Sequence, residues 1–170
     1  MQAVLEKRIS RSMATTGRNK LNTLYTQLKP GAPLMSEDLA ALGISADLAV
    51  HYVRAGWLTR LARGVYCRPN ETLALGPCLA LLERRFEGLH VGGKTALDWH
   101  GVRQYVARQP VLRLYGWRSG QLPAWFTDRF PAEYYRKRLF DEQPGALRNV
   151  NPFEGEAGAP RVSVPERALL

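Results

Sequence analysis

Three sets of residues have the types and spacing to do chemistry. The first is Gly88-Leu-His-Val-Gly-Gly93-Lys94-Thr95, which satisfies G-x-x-x-x-G-K-T, the pattern of loops that cradle phosphates. Such a loop needs a buried strand before it and a helix N-terminus behind it. Here the residues before Gly88 have the spacing of an amphipathic helix, and Leu89-His90-Val91 is itself the most strand-like piece. No Asp-ended apolar strand follows to hold magnesium, so neither nucleotide binding nor any other cofactor is expected. The three histidines, His51, His90 and His100, fall on three different elements, and His100 reads as a helix-end or core residue. G-x-S-x-G, H-E-x-x-H and the zinc-deaminase pattern are missing, and no Asp or Glu is followed two residues later by Lys. The chain is not read as an enzyme.

The second set is Ser45, Asp47, His51 and Arg54, with Val50 at its edge. Polar side chains that donate and accept, placed on the open side of a helix, suit the reading of base edges in a major groove. The third set is Arg60, Arg63 and Arg68, cations that suit backbone phosphates. These eight positions are the candidate DNA contacts.

The elements that must carry them follow from local pattern. Ser36 can cap a helix whose first turn holds Glu37 and Asp38, and Gly43 is its natural left-handed stop. Ser45 then caps a second helix, ending at Gly56, with Leu48, Ala49, Tyr52 and Val53 as its apolar stripe. A Gly followed so closely by a new cap leaves the spacing of a helix-turn-helix. Trp57 to Leu61 and Val65 to Arg68 read as two strands around Ala62-Arg63-Gly64, a hairpin loop with Gly where φ must be positive. Leu21, Leu24, Tyr25 and Leu28 give a preceding amphipathic helix, stopped at Pro30-Gly31. Helix, helix-turn-helix and basic hairpin make a winged helix.

G-W-L-x-R-L-x-R-G-V-Y, Gly56 to Tyr66, resembles the end of the N-terminal domain of AbiEi-type antitoxins of bacterial type IV toxin–antitoxin pairs. G-G-x-x-A-L-x-x-H-G, Gly92 to Gly101, and P-E-R-A-L-L, Pro165 to Leu170, are similar to later motifs of the same family. The resemblance implies a protein that represses its own operon through the winged helix. It also implies a further domain that counters a neighbouring toxin of nucleotidyltransferase type.

Charge agrees with a polyanionic partner. The formal charge is +9 and the pI near 10.0. Residues 1–70 carry 10 Lys and Arg against 4 Asp and Glu, whereas 71–170 carry 14 against 11. Two-thirds of the excess thus lies in the winged-helix segment. No apolar run approaches a membrane span and no signal peptide opens the chain, so a cytoplasmic protein without membrane contact is expected. Cys67 and Cys78 are too few for a disulfide framework and lack zinc-site spacing, so free thiols and no metal are expected.

The expected organisation is a basic arm or disordered lead at 1–17, a winged helix-turn-helix at 18–70 and an α+β domain at 74–170 with a mostly antiparallel sheet. In the last, a helix from Pro77 to Phe86, a brief strand at Leu89 to Val91, a helix from Lys94 to His100 and a strong strand from Val111 to Trp117 follow in turn. Glu133 to Phe140 reads as a strand, and its interleaved Tyr and Arg residues suit either unpaired bases or a half-buried face with a basic exterior. Gln143 to Pro160 reads as a loop. The helix begun at Pro165 stops after about a turn and a half on Leu169 and Leu170, so the chain reads as the N-terminal part of a longer protein. The expected partners are double-stranded DNA, most simply an inverted repeat bound by two copies, and the cognate toxin. The alternative is a protein-interaction module that uses the winged helix only as a docking scaffold.

Overall fold

The computed structural model describes residues 20–102, 111–137, 149–153 and 159–170. The expected arm at 1–17 lies outside them, as do the far end of the strand expected to reach Phe140 and most of the segment read as a loop from Gln143. The chain divides into two compact units, Met1–Ala74 and Leu75–Leu170.

The first unit opens with α1, residues 20–27. Leu21 and Leu24, with Leu28 just past the helix end, form one stripe, on which Leu24 is fully buried. The stop is enforced at Gly31, where φ is +70° and a Cβ would meet the Ala74 N and Thr72 O atoms at 2.8 Å. Then come β1 (Leu34–Met35), α2 (Ser36–Ala41), α3 (Ala46–Arg54), β2 (Thr59–Ala62) and β3 (Val65–Cys67). The strands form an antiparallel sheet in the order β1-β3-β2. The short β1 had no sequence signal, because two residues cannot display an alternation. The core gathers Leu21, Leu24, Leu39, Ile44, Tyr52 and Leu58, with Leu42, Leu48 and Val53 half-buried around it.

One cap differs from the sequence expectation. Ser36 is the first residue of α2, and Met35 occupies the capping position. The Asp38 carboxylate accepts from the Met35 N–H at 2.8 Å, so the acidic side chain satisfies the helix start. Ser36 instead binds the hairpin: its N–H donates to the Gly64 carbonyl at 3.0 Å and its hydroxyl to the same oxygen at 3.3 Å. Ser45 caps α3 as expected, its hydroxyl oxygen accepting from the Leu48 N–H at 3.3 Å.

The second unit contains α4 (Leu75–Arg85), β4 (His90–Val91), α5 (Gly93–Trp99), β5 (Leu112–Gly116), α6 (Ala124–Thr127), β6 (Ala132–Arg136), β7 (Val150–Pro152), β8 (Arg161–Ser163) and α7 (Pro165–Ala168). Its sheet runs β6-β5-β4-β8-β7. The β4/β5 and β7/β8 pairs are antiparallel, and β4/β8 and β5/β6 are parallel. Across both sheets, four of the six described pairs are antiparallel, and the fold class is α+β. Strand β7 sits inside the segment expected to be a loop, because its three residues pair with β8 despite a composition rich in turn formers. Val91, Leu114 and Val162 share one sheet face and are buried with Leu79, Leu82 and Phe126.

Candidate nucleic-acid interface

Helix α3 is built so that one side is apolar and the other open. Ala49 and Tyr52 are buried, while Leu48 and Val53 are half-buried against the core. Asp47, Val50, His51 and Arg54 are spaced i, i+3, i+4 and i+7, hence neighbours on one stripe, and all four are exposed. Ser45, also exposed, closes the N-terminal end of that stripe as the cap. The His51 ring meets the edge of Trp57 at 6.0 Å, which fixes it near the helix C-terminus.

The hairpin carries the next cations. A register shift between Arg60 and Ala62 bends β2 and leaves Arg63-Gly64 as the tip, with Gly64 at φ +73°. Arg60 and Arg63 are exposed, and the Arg60 Nε–H donates to the Ala62 carbonyl at 3.3 Å. The hydrogen bonds from Ser36 to Gly64 hold this tip against the start of α2.

Arg68 stands apart. Its guanidinium donates to the Tyr25 carbonyl and, at 2.9 Å, to the Leu28 carbonyl, both at the end of α1. It pairs with Glu71 at 3.1 Å and lies 5.0 Å from the centroid of the Tyr25 ring. An arginine that meets orphan carbonyls at a negative helix end is a C-terminal cap. Its chemistry is committed inside the unit. Sequence spacing placed it with Arg60 and Arg63, but β3 turns its side chain to α1.

Sequence reasoning missed Lys20, whose ammonium donates to the Gly43 carbonyl at 2.6 Å in the turn between α2 and α3. A lone lysine before the first leucine of α1 gave no signal for this contact. Charge in the described part of the first unit is modest: six Lys and Arg face four Asp and Glu between residues 20 and 74. Four of the ten cations in 1–70 precede Lys20.

The G-x-x-x-x-G-K-T segment has a structural role. Its middle is β4, whose residues pair in the sheet, His90 with Tyr115 and Val91 with Leu114. The Thr95 hydroxyl donates to the Val111 carbonyl at 3.3 Å and accepts from the Arg113 N–H at 2.9 Å. His100 ends α5, with its Nε2 3.0 Å from the Ser163 carbonyl. Among the described residues no group of three or more His, Cys, Asp or Glu could hold a metal ion, and no helix is long and apolar enough to cross a membrane.

A model for "Transcriptional regulator, AbiEi antitoxin N-terminal domain" matches residues 17–108, and one for "Transcriptional regulator, AbiEi antitoxin, Type IV TA system" matches residues 109–170. Among solved structures, the RV2827C protein from Mycobacterium tuberculosis is similar, with 16% identity and a TM-score of 0.53. That likeness covers 90% of this chain and 58% of the other, and at this identity it speaks for the fold alone. A search of curated proteins returns no match.

Proposed function

The chain belongs to the AbiEi antitoxin family of transcriptional regulators from type IV toxin–antitoxin systems, and on that footing we propose that it represses its own operon by binding duplex DNA. In this reading residues 18–70 are a winged helix-turn-helix, α3 is the recognition helix and the β2–β3 hairpin is the wing. Ser45, Asp47, Val50, His51 and Arg54 face base edges, while Arg60 and Arg63 meet phosphates. Arg68 is left out of this interface because its two terminal nitrogens are engaged, one by the carbonyls at the end of α1 and the other by Glu71.

One observation carries the reading: α3 presents an unbroken exposed stripe of Asp47, Val50, His51 and Arg54 in a unit whose element order is α1-β1-α2-α3-β2-β3. A docking scaffold would want an apolar patch on this unit instead. Among its described residues, Val50 is the one large hydrophobic side chain that is exposed, at 43%. Two copies on an inverted repeat is the simplest arrangement, with half-sites about one helical turn, roughly 10 bp, or a multiple apart. Residues 74–170 belong, in this reading, to the domain that counters a nucleotidyltransferase-type toxin, and no catalysis is assigned to them. Selection from a random duplex pool tests the proposal. It should return an inverted repeat, and a pool that stays unenriched would contradict it.

A further inference from the structure

The sheet of the second unit carries an aromatic ladder that DNA binding by α3 does not use. Strand register places His90 opposite Tyr115, and Tyr115 opposite Tyr135. The His90 and Tyr115 rings lie 5.9 Å apart at 25°, and those of Tyr115 and Tyr135 lie 5.4 Å apart at 26°. Three near-parallel rings therefore cross β4, β5 and β6 on the face opposite Val91 and Leu114. Exposure rises along the row: His90 is buried, Tyr115 half-buried and Tyr135 40% exposed. The last ring is held in place, since its hydroxyl donates to the Glu133 carboxylate.

The local sequence is shaped around this row. A Cβ on Gly92 would come within 2.7 Å of the Tyr115 ring, and one on Gly93 within 2.8 Å of its hydroxyl. Gly93, which completes the phosphate-loop pattern, and its neighbour Gly92 thus give Tyr115 its seat. Beside it opens a cleft of about 80 Å³ lined by His90, Tyr115, Lys137, Ser163 and Arg167. Lys137 is exposed at the end of β6, and its ammonium donates to the Leu170 carbonyl at 2.9 Å. Arg167, in the wall of the cleft, is only 3% exposed. Arg113, two residues before Tyr115 on the same face, is exposed, as is its register partner Glu133. Among the described residues this face carries two exposed cations, Arg113 and Lys137, beside one carboxylate, Glu133.

An open ring at the end of a stack, with cations beside it, matches an unpaired nucleotide, whose base offers a flat π-face and whose backbone is anionic. A duplex hides its base faces, and an acidic peptide would leave the ladder without a partner. We propose that this sheet face binds single-stranded nucleic acid: an unpaired base stacks on Tyr135, and its phosphate meets the exposed Lys137 and Arg113 beside it. The site is separate from the α3 interface and does not rest on it.

Fluorescence anisotropy of the full chain with labelled oligo-uridine and oligo-thymidine, each about 12 nucleotides long, tests this. Excess unlabelled duplex is added to occupy any duplex site. Binding of either oligonucleotide should persist under that excess, and the preferred arm identifies the sugar. Tyr135→Ala should weaken binding about tenfold, because stacking on one aromatic ring has that scale. Tyr135→Phe, which loses only the hydroxyl, should bind like the parent, and Lys137→Ala should flatten the salt dependence. Tyr135→Ala should keep the circular dichroism spectrum and cooperative melt of the parent, which shows the variant to be folded. Oligonucleotide binding abolished by duplex, or equal for Tyr135→Ala and the parent, would overturn the proposal, as would no binding of either strand.

Discussion

Arg68→Ala should damage the fold of the first unit and leave its contacts with DNA intact. The guanidinium caps two carbonyls at the end of α1, Tyr25 and Leu28, and pairs with Glu71 at 3.1 Å. Hydrogen bonds to a charged group contribute about 1.5–3 kcal/mol each when buried. The Arg68 and Glu71 side chains are 21% and 26% exposed, so solvent screens the ion pair and holds it to about 1 kcal/mol or less. The bonds share one guanidinium and do not add, so a net loss of about 2–4 kcal/mol is expected. For a unit of this size each kcal/mol lowers Tm by about 4–8 °C, and the unit should melt roughly 10 °C or more lower. Thermal unfolding by circular dichroism reads this directly. Arg68→Lys keeps the charge but not the fork of donors and should fall between the two. Duplex affinity, measured well below the transition, should stay within about threefold of the parent, a difference under 1 kcal/mol. An unchanged Tm with weakened DNA binding would refute the reasoning and return Arg68 to the interface.

Other consequences can be checked on the same footing. Gly64→Ala should cost about 1–2 kcal/mol, since φ is +73° there and a Cβ would lie 2.8 Å from the Ser36 hydroxyl; an unaltered urea midpoint would speak against a strained tip. Thr95→Val should lower stability by about 1–3 kcal/mol by removing the acceptor of the Arg113 N–H, and ATP should neither stabilise the parent nor the variant in a thermal shift. Burial raises the Glu83 pKa, partly opposed by the Arg161 N–H at 2.6 Å and the Arg161 charge. A carboxyl whose folded pKa is raised adds stability that is complete below the unfolded value and lost as pH rises through the folded one. Glu83→Gln keeps the acceptor without the charge, so it should match or exceed the parent in urea midpoint at pH 7 and lose that advantage near pH 4. A clear deficit at pH 7 would contradict this.

The sequence carried the first unit well because its signals are local. Leu21, Leu24 and Leu28, the Ser45 cap and the glycines at 43, 56 and 64 each act within a turn or two, and each stands where expected. Met35 and not Ser36 takes the capping position of α2, because Asp38 accepts from the Met35 N–H and the hairpin claims the serine. Arg68 was grouped with the hairpin because spacing cannot tell which way a side chain leaves a strand end. The second unit was less legible. Along Glu133 to Phe140 the Tyr and Arg residues read as interleaved, but the pleat sends the two tyrosines to opposite faces, Tyr134 beside Phe86 at 5.5 Å and Tyr135 onto the Tyr115 ladder. That division depends on pairing with β5, a partner set by long-range register and not by local pattern. The same holds for β7, which exists only through β8.

The most direct test of sequence-selective binding through α3 is a salt series of duplex affinities for the parent, Arg54→Ala and Arg63→Ala. Each protein is measured on the duplex returned by selection and on a scrambled duplex of equal length. Arg54 is exposed on the α3 stripe, so its removal should leave the fold unchanged and cost about 1–3 kcal/mol on the selected duplex, with little loss on the scrambled one. Arg63, exposed at the hairpin tip, should weaken both duplexes alike and reduce the salt slope by about 1. Equal affinity of the parent for both duplexes, or equal losses on both from Arg54→Ala, would contradict the account.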